Sequence, residues 1–207
     1  MEKSKKKPSK PEAPDTETGK ISANREKILE TALTLFTSRG FFGTPTSLIS
    51  KEAGVSTGTL FFYFRTKEDL IDTLYRRIKA EAAKEMCRGI DNQKTTEAKI
   101  RLLGANMVEW GIGNHAKLKF MEQFAHSPFV STSAHEEGTS HFSFLGELVK
   151  DGIRTGAIRE IDPSLLFHMM APAISGLVSR ASEIGEPVER EKIVRDGLDF
   201  IWNAMKA

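Results

Sequence analysis

The chain has 207 residues, and counting its 16 glycines about 47 % of them are apolar, an ordinary share for a globular protein. Its one cysteine, Cys87, excludes a disulfide framework and any multi-cysteine zinc site, and no run of 18 or more apolar residues is present to cross a bilayer as a helix. A net charge of +2 is too near neutral for bulk charge to point to nucleic acid, so any such role has to rest on a short segment.

Residues 1–20 contain three prolines and no aromatic or branched aliphatic residue, and the first ten carry five lysines against one glutamate. Such a segment cannot bury enough to offset its ordering entropy. A disordered basic arm is expected, which either adds sequence-independent attraction to phosphates or only keeps the chain soluble. No apolar segment follows the lysines, so they do not read as a secretion signal, and the expected compartment is the cytoplasm.

From Ser22, read as an N-cap, the period is helical. Ile28, Ala32, Leu35 and Phe36 share one face, and Gly40 suits the C′ position. Thr44-Pro45-Thr46 restarts a short helix that ends at Ala53-Gly54, with proline suited to the first helical position. Ser56 or Thr57 caps a third helix running to about Phe64. Thr66 caps a fourth, with Glu68 and Asp69 at the positive end of its dipole and an apolar stripe of Leu70, Ile71, Leu74, Tyr75 and Ile78. Five further helices are marked by Ile100–Trp110, by Leu118–Phe124 after Asn114, by Phe142–Ile153, by the cap and first-position proline at Asp162-Pro163, and by Pro187–Met205. No hairpin signal or alternating run appears, so the expected fold is all-α with about nine helices.

Residues 44–67, TPTSLISKEAGVSTGTLFFYFRTK, place two short helices around a tight glycine turn, a helix-turn-helix. Leu48, Ile49 and Ala53 bury one face of the first helix, Val55 fills the gap, and Leu60 and Phe64 pin the second. A short helix presenting small hydroxyls and aromatics fits a major groove about 12 Å wide. Gly-x-Ser-x-Gly, a P-loop and a post-strand Rossmann glycine pattern are all missing, which argues against an enzyme. The run His135, Glu136, Glu137 and His141 is expected in a loop and at a helix start, without the i, i+4 spacing of a helical zinc pair.

Residues 24–70 resemble the N-terminal domain of the tetracycline-repressor (TetR-like) family. The resemblance lies in Arg-x-x-Ile-Leu at Arg25–Leu29, Ala-x-x-Leu-Phe-x-x-x-Gly-Phe at Ala32–Phe41, and Thr46 opening the second helix. It continues in Ala-Gly-Val-Ser at Ala53–Ser56, Gly-Thr-Leu at Gly58–Leu60, Tyr63-Phe64, and Lys-Glu-Asp-Leu at Lys67–Leu70. It implies a DNA-binding set of Thr46, Ser56, Thr57, Thr59, Phe61, Tyr63 and Lys67. In that scheme Thr46 caps the second helix and touches phosphate, Ser56 and Thr57 start the recognition helix, Thr59 sits in the groove, Tyr63 offers its phenol, and Lys67 meets phosphate. Phe61 stands where such proteins often carry tyrosine, so one hydroxyl contact is missing.

The expected division is a basic arm at 1–20, a DNA-binding domain at 21–66 and a helical effector-binding and dimerisation domain at 67–207. A homodimer suits half-sites roughly 34–36 Å apart. Small residues Ala171, Ala173, Ser175, Gly176 and Ser179, and a wide apolar face on the last helix, place its interface at about 163–205. Pro172 is expected to kink the helix that carries it. The middle helices offer Trp110, Phe120, Phe124, His126, Phe142, Leu145, His168 and Met169 as the lining of a cavity for an unidentified, largely apolar effector. The expected partners are double-stranded DNA, a second copy of the chain and that effector, with no cofactor, metal or membrane.

Overall fold

No proline interrupts the chain between Pro14 and Pro45. The structure is a computed structural model that describes residues 16–207, with side chains from residue 22 onward. Helix α1 spans Thr16–Arg39. Ser22 therefore lies inside a helix and does not begin one; of the expected arm, residues 16–20 are helical and residues 1–15 lie outside the described region.

Nine helices follow: α2 (Thr46–Glu52), α3 (Thr57–Tyr63), α4 (Lys67–Met86), α5 (Thr96–Gly113), α6 (His115–Phe124), α7 (Thr132–Ser140), α8 (Ser143–Arg154), α9 (Pro163–Ser182) and α10 (Pro187–Met205). Among the described residues there is no strand, only one antiparallel bridge between Ile158 and Lys206 that ties down the C-terminal end. The all-α fold stands, with ten α-helices among the described residues where about nine were expected.

Several ends follow the cap chemistry. Ser56 accepts from the Thr59 amide, Thr66 from Asp69, Thr95 from Ala98, Ser131 from Ala134, and Asp162 from Leu165. The start of α2 differs from expectation. Pro45, in extended backbone at ψ 149°, holds the cap position, and Thr46 is the first helical residue. Thr44 is fully buried and its hydroxyl donates to the Leu35 and Gly40 carbonyls, so it closes the end of α1. Asn114 precedes α6 but turns its amide back to the Trp110 carbonyl. Pro172 sits within α9, which stays continuous across it.

The extra helix is α7. Thr-Ser-Ala-His-Glu-Glu-Gly-Thr-Ser has almost no apolar period, which is why its His135–His141 run reads as loop. Only Ala134 and Gly138 are buried, and they face α4. A β-carbon on Gly138 would stand 2.7 Å from Tyr75 Cε1, so only glycine allows this approach. Ser131 bonds both Asp72 carboxylate oxygens, and Arg76 pairs with Glu137 at 2.6 Å. The helix exists through docking, not through its own propensity.

Helix α5 packs on α4, α6, α9 and α10, and α4 on α1, α5, α6 and α7. One continuous core runs from Ile28 and Phe36 of α1 through Ile49, Leu60 and Phe64 to Leu70, Leu74, Trp110, Phe120 and Val178. A second gathers Val149, Ile158, Leu166, Ile201, Trp202 and Met205 at the far end. Each fully buried Leu, Ile or Phe contributes roughly 1.5–3 kcal/mol of transfer free energy. The first four helices therefore share a core with the rest.

Candidate nucleic-acid interface and effector region

The turn between α2 and α3 depends on Gly54, whose φ of +68° is left-handed backbone that glycine adopts without strain. The Val55 amide then donates to the Ser50 carbonyl at 2.9 Å. Ile49 and Leu60 are fully buried and Phe64 nearly so, locking α3 onto α1 and α2. Ser56, Thr57, Gly58, Phe61 and Phe62 remain exposed along one side of α3, while Thr46, Thr59 and Tyr63 are half-buried beside them. Phe62 is 75 % exposed, far more than packing alone would leave to a phenylalanine.

The hydroxyls are pre-ordered. Ser50 Oγ and Thr57 Oγ1 lie 3.1 Å apart, and Ser56 Oγ and Thr59 Oγ1 2.8 Å. The Tyr63 ring meets Phe62 edge-on at 5.1 Å, and its hydroxyl has no hydrogen-bond partner among the described residues. Lys51 and Arg65, both exposed, flank α3; they are absent from the motif-derived set because only charge beside a motif marks them.

Lys67 is placed differently from expectation. Its ammonium donates to the Phe41 carbonyl and lies 3.9 Å from the centre of the Phe41 ring. Burial pulls its pKa down, partly offset by the Glu68 charge. The Phe41 ring stacks on Phe129 at 3.7 Å, nearly parallel, and Phe42 closes edge-on over both. Lys67 therefore pins the α1–α2 corner to the start of α4, while the Phe41–Phe129 stack ties that corner to the segment before α7. No local signal encodes a pairing across 88 residues.

The eight residues expected around an effector do not come together. Phe120 and Phe124 stack at 4.5 Å, and Phe36 of α1 fills the space against them at 6.4 and 5.9 Å. They bond α6 to α1. Trp110 is buried, its indole N–H donating to Glu81 Oε1 at 3.2 Å beside Lys117 at 2.5 Å. Burial pushes the Glu81 carboxyl up, but hydrogen bonds from Lys117 and Trp110, with the charges of Lys117 and Arg77, bring it below its ordinary value. His126, His168 and Met169 are at the surface, and His168 Nδ1 lies 2.8 Å from the Ser164 carbonyl. Phe142 and Leu145 are half-buried on α8 and its cap. Aromatics at helical spacing serve packing here because each finds an aromatic or aliphatic partner. An open groove of about 670 Å³ runs between α5 and α10; its floor includes Leu102, Val108, Ile112 and Val194, with Arg101, Arg190 and Arg195 at its rim.

Residues 28–74 match the family described as bacterial regulatory proteins, tetR family. The HTH-type transcriptional repressor KstR2 of Rhodococcus jostii (strain RHA1) is 33 % identical over 176 residues, covering 77 % of this chain and 79 % of that protein. A tetR family transcription regulator from Shewanella sp. PV-4 superposes with a TM-score of 0.80 at 29 % identity, over 89 % of this chain and 98 % of that one. The transcriptional regulator FadR from Bacillus subtilis, solved in complex with stearoyl-CoA, shares the fold with a TM-score of 0.68 at 20 % identity, over 85 % and 96 %. The likeness thus extends well past the helix-turn-helix, and the chain belongs to the tetR family of bacterial regulatory proteins, DNA-binding regulators of transcription.

Proposed function

We propose that this protein is a ligand-responsive repressor that binds a palindromic operator as a homodimer and leaves it when a small, largely apolar effector occupies the C-terminal region. The exposed side of α3, bearing pre-ordered hydroxyls and two surface phenylalanines on a rigid support, is the observation that carries this reading. Residues 21–66 read DNA and 67–207 bind effector and partner, and the arm at 1–20 adds sequence-independent attraction. Ser56, Thr57, Thr59 and Phe61 face the groove; Thr46 and Tyr63 reach phosphate. Lys67 contributes chiefly by holding Phe41, and its charge supports phosphate approach from behind.

Leu165 and Met169, one turn apart on α9, are 53 % and 58 % exposed, and Phe200 on α10 is 71 % exposed. Apolar side chains of this size left open on two neighbouring helices support a four-helix contact with a second copy, as two half-sites require. The effector class is supported by the fold shared with FadR, whose structure holds an acyl-CoA. The effector acts by population shift, favouring a form whose two α3 helices no longer fit successive grooves. The place of action is the cytoplasm.

Enrichment of DNA from a random pool by the purified protein tests the reading: a palindrome is expected, and enrichment of no sequence overturns it. On the enriched site, affinity falls with salt by about 0.9 log unit per contacted phosphate. Tyr63→Phe weakens that binding about tenfold, equal to ~1.4 kcal/mol, by removing one hydroxyl and leaving the ring contact with Phe62. Unchanged affinity in a filter-binding titration removes Tyr63 from the interface.

A further inference from the structure

Lys79 lies on α4 one turn after Tyr75, on the side covered by α7 and the start of α8. Its ammonium is 5.5 Å from the centre of the Tyr75 ring and 5.1 Å from that of Phe142. Its neighbours on the same helix have found carboxylates: Arg76 pairs with Glu137 and Arg77 with Glu26. Lys79 pairs with none among the described residues, although it is half-buried. Burial alone holds its pKa below the ordinary lysine value, with no opposing charge. A cation withdrawn from water between two ring faces is partly compensated by them. An anion brought against this half-buried ammonium would supply the pairing that Arg76 and Arg77 already have.

The cover over this cation is α7, a helix that buries little side-chain surface of its own. Gly138 of α7 lies so close that a β-carbon there would stand 3.2 Å from Lys79 Cγ. Only Ala134 and Gly138 of α7 are buried, and the polar bonds to Asp72 and Arg76 that hold it are at the surface. Segments with little buried apolar surface and exposed bonds open at low free energy. Lifting α7 uncovers an ammonium walled by Tyr75 and Phe142. The same segment carries Phe129, which stacks on Phe41 at the α1–α2 corner.

We propose that Lys79 is the anion-recognition point of the effector site, and that the effector is an amphiphile whose anionic head pairs with this ammonium beneath α7 while its aliphatic tail lies against the Tyr75 and Phe142 rings. This rests on the ligand-responsive reading above. Displacement of α7 pulls on Phe129 and so loosens the support of α2 and α3. The shared chemistry is an anionic head on an alkyl chain; a free carboxylate and an acyl thioester of coenzyme A both supply it.

Calorimetric titration of the full chain with decanoate, decanoyl-CoA and neutral methyl decanoate tests the proposal. At least one anionic probe is expected to bind ten times more tightly than the ester, and whichever anion binds better identifies the source of the head group. Lys79→Gln is expected to remove that preference and Lys79→Arg to keep it. Equal binding of ester and anions, no saturable binding of either anion, or a preference that survives in Lys79→Gln would each overturn it. The comparison of probes on the unaltered chain needs no variant to fold. Operator binding is measured separately, so a failed DNA selection refutes the regulator while a lost anion preference refutes only the role of Lys79.

Discussion

Phe120→Ala lowers the unfolding free energy by about 3–5 kcal/mol, the range for removing a fully buried aromatic ring. Phe120 has no exposed surface, stacks on Phe124 at 4.5 Å and faces Phe36 of α1 at 6.4 Å. Alanine leaves a void at the joint where α6 holds α1, and the rigid rings of Phe36 and Phe124 cannot collapse together to fill it. For a chain of this length the loss corresponds to a fall in Tm of about 6–20 °C, read by calorimetry. Phe42→Ala is the matched control. At 85 % exposure Phe42 contributes an edge contact to Phe41 and Phe129 but no core volume, so its removal stays within about 0.5 kcal/mol. Equal losses for the two variants would show that α6 does not fasten α1.

Met169→Glu has the largest effect expected on function. The side chain stands 58 % exposed on α9, a turn from Leu165, on the face assigned to the second copy. In a single chain the carboxylate is solvated and harmless. In a two-fold contact the substituted positions enter a desolvated patch, where an unpaired charge is strongly unfavourable. Sedimentation should show a monomer at concentrations where the parent chain forms the proposed dimer. Affinity for the full palindrome should fall about 100-fold or more, because two linked half-site contacts become two independent ones. Affinity for an isolated half-site should not change. A variant that remains dimeric places the interface elsewhere.

Much of the recognition segment is readable residue by residue, because its determinants act within one turn of helix. Ser56, Thr66 and Asp162 cap the helices after them through a side chain reaching an amide three residues on. Gly54 supplies the left-handed turn, and Ile49, Leu60 and Phe64 fall at the buried positions their spacing demands. The start of α2 departs from expectation by a single residue, since Thr44 is drawn away to close α1 and leaves Pro45 at the cap.

The effector region is far less readable, for a reason visible in Phe120 and Phe142. Both are aromatic and both sit at helical spacing. One is fully buried against Phe36, and the other is half-buried beside the ammonium of Lys79. Their difference lies in partners more than 60 residues away in the chain.

From its order of residues alone the protein reads as all-helical with a helix-turn-helix at residues 44–67, because periodicity, caps and turn glycines are local properties of the chain, and the motifs shared with the TetR-like family add the regulator. Tertiary packing alone decided that α7 exists, that Lys67 turns inward to Phe41, that Phe120 and Phe124 serve the core, and that Lys79 is left between two rings without a counter-ion among the described residues. Each of those outcomes depends on which surfaces meet when distant helices dock, and close packing settles that through shape and desolvation, which no short window of sequence records.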